Sequence, residues 1–356
     1  MRIAQISTLY ESVPPQAYGG IERVVAWLTD ALVDAGHDVT LFASADSATR
    51  ARLAPSCPCA LRLIEETADP QAFHFAMLEQ VVRRSNEFDI VHFHIDYQGF
   101  PFARRLNCPH LTTLHWRLDI PGLEPLYRAF DDIPVASISN AQRIPQPHAH
   151  WQGTVYHGMP PDTLSFNARP GDHLAFVGRI APPKRPDLAI EIAERAGVPL
   201  KIAAKIDNGD RWYYERNIEA LLDRPHVAYL GELAGAEKHA ILAGARALLF
   251  PIDWPEPFGL VLIEALACGT PVIAFRRGGT RDHRRRRTGF IVDDVEQAVR
   301  AVERLDEIDR AQCRAAFEER FSAARMAADY LRIYRTLLDP HRQRDETRAG
   351  ASLQGA

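Results

Sequence analysis

Two doubly wound α/β domains in tandem are predicted by three observations. Short apolar strands alternate with helical patterns along nearly the whole chain. One Pro/Asp/Asn/Gly-rich stretch interrupts the alternation. The length of 356 residues is enough for two cores of about 150 residues each. Strands separated by helices imply parallel sheets covered on both faces.

The first half opens with a strand over 3–7, a helix over 22–35 closed by Gly36, and a strand over 38–43, a βαβ unit. A helix near 71–86 and strands over 90–93, 111–114 and 135–138 continue it. MPPDTLSFNARPGD, residues 159–172, has no periodicity and suits a linker. The alternation then restarts: a strand over 173–177, a helix over 185–196 closed by Gly197, and strands over 200–203, 227–230 and 247–250. A helix over 258–268 closed by Gly269 and a strand over 272–275 follow. Helical patterns over 310–320 and 323–338 close the fold, and 340–356 reads as a loose polar tail. The expected domains are 1–160, joined by the helix 323–338, and 168–322. Ligands of such sheets bind at the carboxyl ends of strands, so the cleft between the domains is the expected site.

Composition narrows the partners. A net charge of −4 and a pI near 6.4 argue against a whole-surface footprint for nucleic acid, and the partner expected is small. The start MRIAQISTLY lacks the apolar region of a signal peptide, and no apolar run approaches the roughly eighteen residues that span a bilayer. A cytoplasmic protein is expected. Its five cysteines form neither a disulfide framework nor a zinc spacing and read as reduced thiols.

Three glycine-marked turns follow strands. Tyr18-Gly19-Gly20-Ile21-Glu22 is not a dinucleotide fingerprint, but Gly19 and Gly20 let backbone N–H groups approach an anion at a helix start. A plain loop-to-helix turn is the alternative. In FVGRIAPPKRP, Arg179 and Lys184 follow a strand on a proline-stiffened turn. Lys184, Lys201, Lys205 and Lys238 are the only lysines, so one inside this turn points to a phosphate clamp rather than a solvated charge. In WPEPFGLVLIEALACGTPV, Pro257 stops the helix from extending backwards, which exposes the amides of Phe258, Gly259, Leu260 and Val261 at its positive end. Glu256 precedes that end and Glu264 lies inside it, about 9 Å along the axis. A diphosphate resting there would place one group near each acid. Ionised carboxylates accept hydrogen bonds from hydroxyls, and a nucleotide sugar has hydroxyls on both sides of its diphosphate. The alternative makes Glu256 a solvated loop acid and Glu264 an outer-face glutamate.

Glu256 and Glu264, with seven residues between them, resemble the E-x7-E signature of family 4 glycosyltransferases, retaining enzymes of the GT-B fold. YGGIERVVAWLTDALVDAGHDVTLFA, VHFHIDY, TTLHW, SISNAQ, VYHGM, FVGRIAPPKRPDLAIEIA and GFIVDD extend the resemblance over nearly the whole chain. It implies two Rossmann-like domains facing across a cleft, with 1–160 on the acceptor side and 168–322 binding the donor. It further implies that Gly19 and Gly20 approach the donor diphosphate and that Arg179 and Lys184 neutralise it. Glu256 would hold the donor sugar, Glu264 the ribose, and the Phe258–Leu260 amides a phosphate, while His115 borders the reacting sugar carbon. The partners implied are a UDP- or GDP-type nucleotide sugar and an acceptor that is a sugar, a lipid-linked group or a small molecule, with peripheral membrane contact an option. No metal or other cofactor is expected.

Among the 14 histidines, His92 and His94 point the same way at a strand end, which suggests a metal pair or, with no third ligand in sight, packing. His115 follows the strand over 111–114. Asp96 and Asp119 are candidate acceptor contacts. Base recognition falls near Leu230-Gly231-Glu232 and Lys205.

The chain departs from the family pattern after Gly278-Gly279. Where the family has a proline-glutamate pair, aliphatics and an acidic turn, this sequence reads TRDHRRRR, residues 280–287. Two explanations stand: a frame change in the gene, since one choice of codons for this stretch read from their second base gives Glu-Ile-Ile-Glu-Asp-Gly, or a basic loop that meets an anionic surface. The rival functions are a nucleotide-sugar-binding protein silenced by this loop, and a sugar epimerase or phosphorylase on the same fold.

Overall fold

A computed structural model describes residues 1–16, 19–64, 69–283 and 287–339, the side chains of Arg281 and His283 excepted. Tyr18, most of the arginine run (284–286) and the 340–356 tail, all singled out above, lie outside the described residues. The chain forms two compact units. One holds Met1–Ile138, Arg143–Gly158 and the segment from Ala323; the other holds Ser139–Gln142 and Met159–Ser322.

The first unit is built on seven strands, β1 (Arg2–Ile6), β2 (Asp38–Ser44), β3 (Arg52–Cys57), β4 (Ile90–Phe93), β5 (His110–Thr113), β6 (Pro134–Ser137) and β7 (His150–Thr154). They are parallel throughout, in the order β3-β2-β1-β4-β5-β6-β7. The order reverses where β1 pairs with β4, Ile3 opposite Ile90 and Ile6 opposite Phe93. In open sheets of this kind the carboxyl ends at such a reversal are where ligands bind. The helix Gly20–Asp34 buries Val24, Val25, Leu28 and Leu32 on one face and ends at Gly36, whose φ of 81° a side chain would resist. Asp69 caps the helix Pro70–Arg83, its carboxylate accepting from the Gln71 amide at 2.9 Å. Ile6, Phe42, Phe93 and Leu114 lie in the apolar core.

β3 and β7 are absent from the sequence reading. Both are edge strands: β3 carries Pro55, and every residue of β7 is only half-buried. An edge strand packs on fewer neighbours, so its apolar alternation is weak.

The second unit repeats the plan with β8 (His173–Arg179), β9 (Leu200–Lys205), β10 (Val227–Tyr229), β11 (Ala245–Phe250), β12 (Val272–Phe275) and β13 (Gly289–Val292). All pairs are parallel, in the order β10-β9-β8-β11-β12-β13, with the reversal between β8 and β11. The helix Pro186–Ala196 starts with proline, whose missing N–H costs nothing there, and stops at Gly197 in the left-handed region. The 159–172 stretch is tied to this unit: the Asn167 amide donates to Cys268 O at 3.0 Å, and Arg314 Nη1 to Leu164 O at 3.0 Å.

The last helix, Ala323–Leu338, belongs to the first unit and packs on Gly20–Asp34. No helix among the described residues is long and apolar enough to cross a membrane.

Candidate active site

In the second unit the strand order assembles the charged residues. β8 and β9 end together, with Arg179 in register opposite Lys205. Asp207 bridges them, 3.1 Å from Arg179 Nη1 and 3.0 Å from Lys205 Nζ, and Asp210 lies 3.6 Å from the same arginine nitrogen. Burial opposes ionisation of Asp207, but the two cations outweigh it and hold its carboxyl below the usual value.

Lys184 closes the short turn Pro182–Lys184 after β8, and Glu256 follows β11. Because those strands are neighbours at the reversal, residues 72 apart in sequence meet: Lys184 Nζ lies 2.5 Å from Glu256 Oε2. Trp254 Nε1 donates to the same oxygen at 2.9 Å. The ammonium lies 4.9 Å from the centre of the Trp254 ring and 5.7 Å from that of Phe250, an arrangement that stabilises a cation as water is excluded. The two side chains are 16% and 13% exposed, so the pair is shielded yet reachable. Beside Lys184, Arg185 holds a left-handed backbone at φ 52°, a local strain that the surrounding turn must support.

The segment after β12 clamps Glu256 from behind. Gly279 N donates to Glu256 O at 2.6 Å. At Gly278 (φ 49°) a Cβ would stand 2.3 Å from Glu256 O and 2.6 Å from Glu256 N, so only glycine permits this approach. The sequence reading assigned these two glycines no role.

The helix expected over 258–268 begins two residues later, at Leu260–Ala267. Gly259 is its cap at φ 87°, and Phe258 is buried against Phe321 instead of opening the helix. The predicted set of helix-end amides is corrected accordingly: Leu260 and Val261 open the helix, and Phe258 and Gly259 form the bend before it. Glu264 is buried, and Lys238 from the helix Gly235–Gly244 reaches it at 2.7 Å. An outer-face glutamate would be solvated, so that alternative does not describe Glu264. Lys238 was missed; the scarcity of lysine was the signal that could have found it. Asp207 and Asp210 gave no such signal.

In the first unit Gly19 caps the helix that Gly20 opens, and Glu22 in its first turn is hydrogen-bonded to the Thr8 hydroxyl beyond β1. His115 lies just past β5. Asp96, beyond β4, accepts from the His115 amide at 2.8 Å and the Trp116 amide at 3.4 Å. Burial pushes the Asp96 carboxyl up to about 7, against those two amides. The His115 ring stacks on His157 at 5.3 Å and 19°, and burial pushes it down to about 3. His92 and His94 are fully buried and held well below the usual histidine value. They do point the same way, but into hydrogen bonds: His94 Nδ1 meets His115 Nε2 at 3.0 Å, and His92 meets Tyr334 and Thr113. Among the described residues no group of three or more His, Cys, Asp or Glu could hold a metal ion. Asp119 is paired with Arg117 at 2.7 Å.

The chain can be compared with known proteins on this basis. Residues 168–320 match the family model described as glycosyl transferases group 1, and residues 18–144 match that of glycosyltransferase family 4. A glycogen synthase of Mycobacterium tuberculosis (strain ATCC 25618 / H37Rv) is 28% identical over 333 residues, covering 78% of this chain and 79% of that protein. A D-inositol 3-phosphate glycosyltransferase of Pseudarthrobacter chlorophenolicus is 25% identical over 385 residues, 91% of each. The crystal structure of Anabaena HepE in complex with UDP and glucose is similar in fold, with a TM-score of 0.72 at 16% identity, over 94% of this chain and 100% of that one.

Proposed function

We propose, on the premise that this chain belongs to the family 4 glycosyltransferases of the GT-B fold, that it transfers a hexosyl group from a nucleotide-diphosphate sugar to an acceptor hydroxyl. The transfer retains the anomeric configuration and needs no divalent metal. The observation that carries this reading is the Lys184–Glu256 pair at the reversal between β8 and β11, where an open α/β sheet receives its ligand.

Roles follow from the chemistry of each group. An ammonium has three protons, and Glu256 engages one; the others, with the Arg179 guanidinium, meet the diphosphate oxygens. Their charge grows as the bond to the sugar breaks, and prearranged cations stabilise it most at that moment, which is the work a metal would do. Glu256 accepts from hydroxyls of the donor sugar and Glu264 from the ribose. The backbone at Phe258, Gly259 and Leu260 meets a phosphate, Gly19 and Gly20 are assigned to the donor diphosphate, and His115 borders the reacting carbon. In the step itself the anomeric carbon–oxygen bond breaks and its electron pair leaves with the nucleoside diphosphate. The acceptor oxygen bonds to the same face, and its proton passes to the departing phosphate oxygen. The UDP and glucose in HepE and the activities named for the two relatives support a nucleotide-sugar donor.

A panel of UDP-, GDP- and ADP-sugars incubated with the protein in chelator tests this. Release of nucleoside diphosphate from one donor is expected, and Glu256→Ala should abolish it while nucleotide binding persists. Binding without any release identifies a non-catalytic binder, exchange at another sugar carbon identifies an epimerase, and unchanged turnover in Glu256→Ala removes that residue from the mechanism.

A further inference from the structure

A row of buried hydrogen bonds crosses the first unit from the C-terminal helix to His115. Tyr330 lies 2.9 Å from Thr113 Oγ1, and Thr113 Oγ1 lies 2.7 Å from His92 Nε2. His92 Nδ1 is 2.7 Å from the Tyr334 hydroxyl, which is 3.2 Å from Gln5 Nε2. Gln5 Oε1 is 2.7 Å from His94 Nε2, and His94 Nδ1 is 3.0 Å from His115 Nε2. Seven side chains from β1, β4, β5, the loops after the last two and the C-terminal helix take part. All are buried: His115 is 8% exposed and the others 0%.

The direction of the row follows from its far end. Thr113 has one hydroxyl proton and donates it to the Tyr330 oxygen, so it must accept from His92 Nε2–H. A neutral imidazole carries one N–H, which leaves His92 Nδ1 to accept from the Tyr334 hydroxyl. The Tyr334 oxygen then accepts from the Gln5 amide nitrogen. That turns the Gln5 carbonyl oxygen to His94, which donates through Nε2 and accepts through Nδ1. His115 is the donor left, through Nε2–H. Its Nδ1 therefore carries a lone pair, and that atom is buried with no hydrogen-bond partner among the described residues.

We propose that this relay locks His115 in the Nε2–H tautomer, making Nδ1 an acceptor for a substrate hydroxyl, and that Gln5, His94, Thr113 and Tyr334 are positioning residues for it. That the hydroxyl belongs to a substrate rests on the glycosyltransferase reading; the tautomer does not. Two further contacts fix the ring in space: the Asp96 carboxylate on its backbone amide and the His157 ring stacked on its face. An acceptor locked this way selects a hydroxyl that arrives donating, and rejects an ether oxygen or a fluorine at the same place.

The test reads the tautomer directly. Nitrogen-15 NMR of full-length protein with labelled histidine should show His115 protonated at Nε2 and bare at Nδ1. Tyr334→Phe keeps the shape and severs the relay, so it should turn that single tautomer into a mixture. With the donor identified by the panel above, the same variant should lower kcat about tenfold, one hydrogen bond's worth, with the donor KM within about twofold. Thr113→Val, which removes the proton that sets the direction, is the second variant if Tyr334→Phe does not fold. Protonation of His115 at Nδ1 in the unmodified protein overturns the proposal, as does a single Nε2–H tautomer in both variants. A mixture in the variants alongside a protein that never turns over a donor upholds the relay and discards the glycosyltransferase reading instead.

Discussion

The two sheets reverse their strand order in the same way, yet they place opposite chemistry at the reversal. At the carboxyl ends of β8 and its two neighbours stand full charges, Lys184 with Glu256 on the β11 side and Arg179 with Asp207 and Asp210 on the β9 side, at side-chain exposures from 13% to 31%. Between β1 and β4 and on to β5 stand neutral groups, Gln5, His92, His94 and His115, sealed from water. Topology supplies an address, and the side chains decide what is received there. Charges left partly wet can exchange partners with an anion at little cost. Neutral directional donors and acceptors must be dry to be selective, because water would satisfy either polarity.

The largest expected break of this contrast comes from Lys184→Met. It removes the cation at the second reversal and leaves Glu256 with Trp254 alone, so turnover of the donor should fall about 100- to 1000-fold. Steady-state kinetics check this, and a loss below about threefold would mean that the charges at β8 and β11 are structural.

A second, intermediate effect belongs to the neutral site. The Asp96 carboxyl is raised to about 7 from an unfolded value of 3.8, so its contribution to stability is fully present below 3.8 and is lost as pH rises through about 7. The buried histidines are lowered, so theirs is present above about 6.5 and lost as pH falls. Asp96→Asn keeps an oxygen for the His115 amide but cannot ionise. The denaturation midpoint of the variant should therefore gain on that of the parent protein between about pH 4 and 7 and keep a constant lead above about pH 8. Parallel curves would show that Asp96 does not titrate in this range.

The smallest effect sharpens the contrast within the charged site. Lys238→Met deprives Glu264 of its partner without touching Lys184, and should raise the donor KM about 3- to 10-fold with kcat within about twofold. An equal fall in kcat would place Glu264 at the reacting centre rather than at the ribose.

Much of this was legible in the sequence, and the gaps have physical reasons. Central strands such as Val272–Phe275 are apolar runs between turn residues, and Gly36 and Gly197 end helices by a local rule, so the α/β plan could be read directly. Arg179, Lys184 and Glu256 stood out because each lies at or just beyond the carboxyl end of a strand. Their pairing did not: that Lys184 meets Glu256 depends on β8 lying beside β11, a nonlocal fact. The clamp of Gly278 and Gly279 on the Glu256 backbone was hidden for the same reason. Gln5 is a polar residue inside an apolar strand, which is a visible anomaly, but its partners sit 89 and 329 residues away. The two-residue error at Phe258 arose because Pro257 marks where a helix cannot be, whereas a glycine in the left-handed region marks where it starts.

Tyr330 and Tyr334 also tie the centre of the first unit to a part of the chain translated much later. The sheet of the first unit leaves the ribosome well before the hydroxyls that satisfy Thr113, His92 and Gln5, which follow those residues by 217, 242 and 329 positions. Until they emerge, the nascent amino-terminal unit holds unsatisfied polar atoms at its centre. A chain stopped at Ser322 would carry every charged residue discussed above and still lack a finished first half.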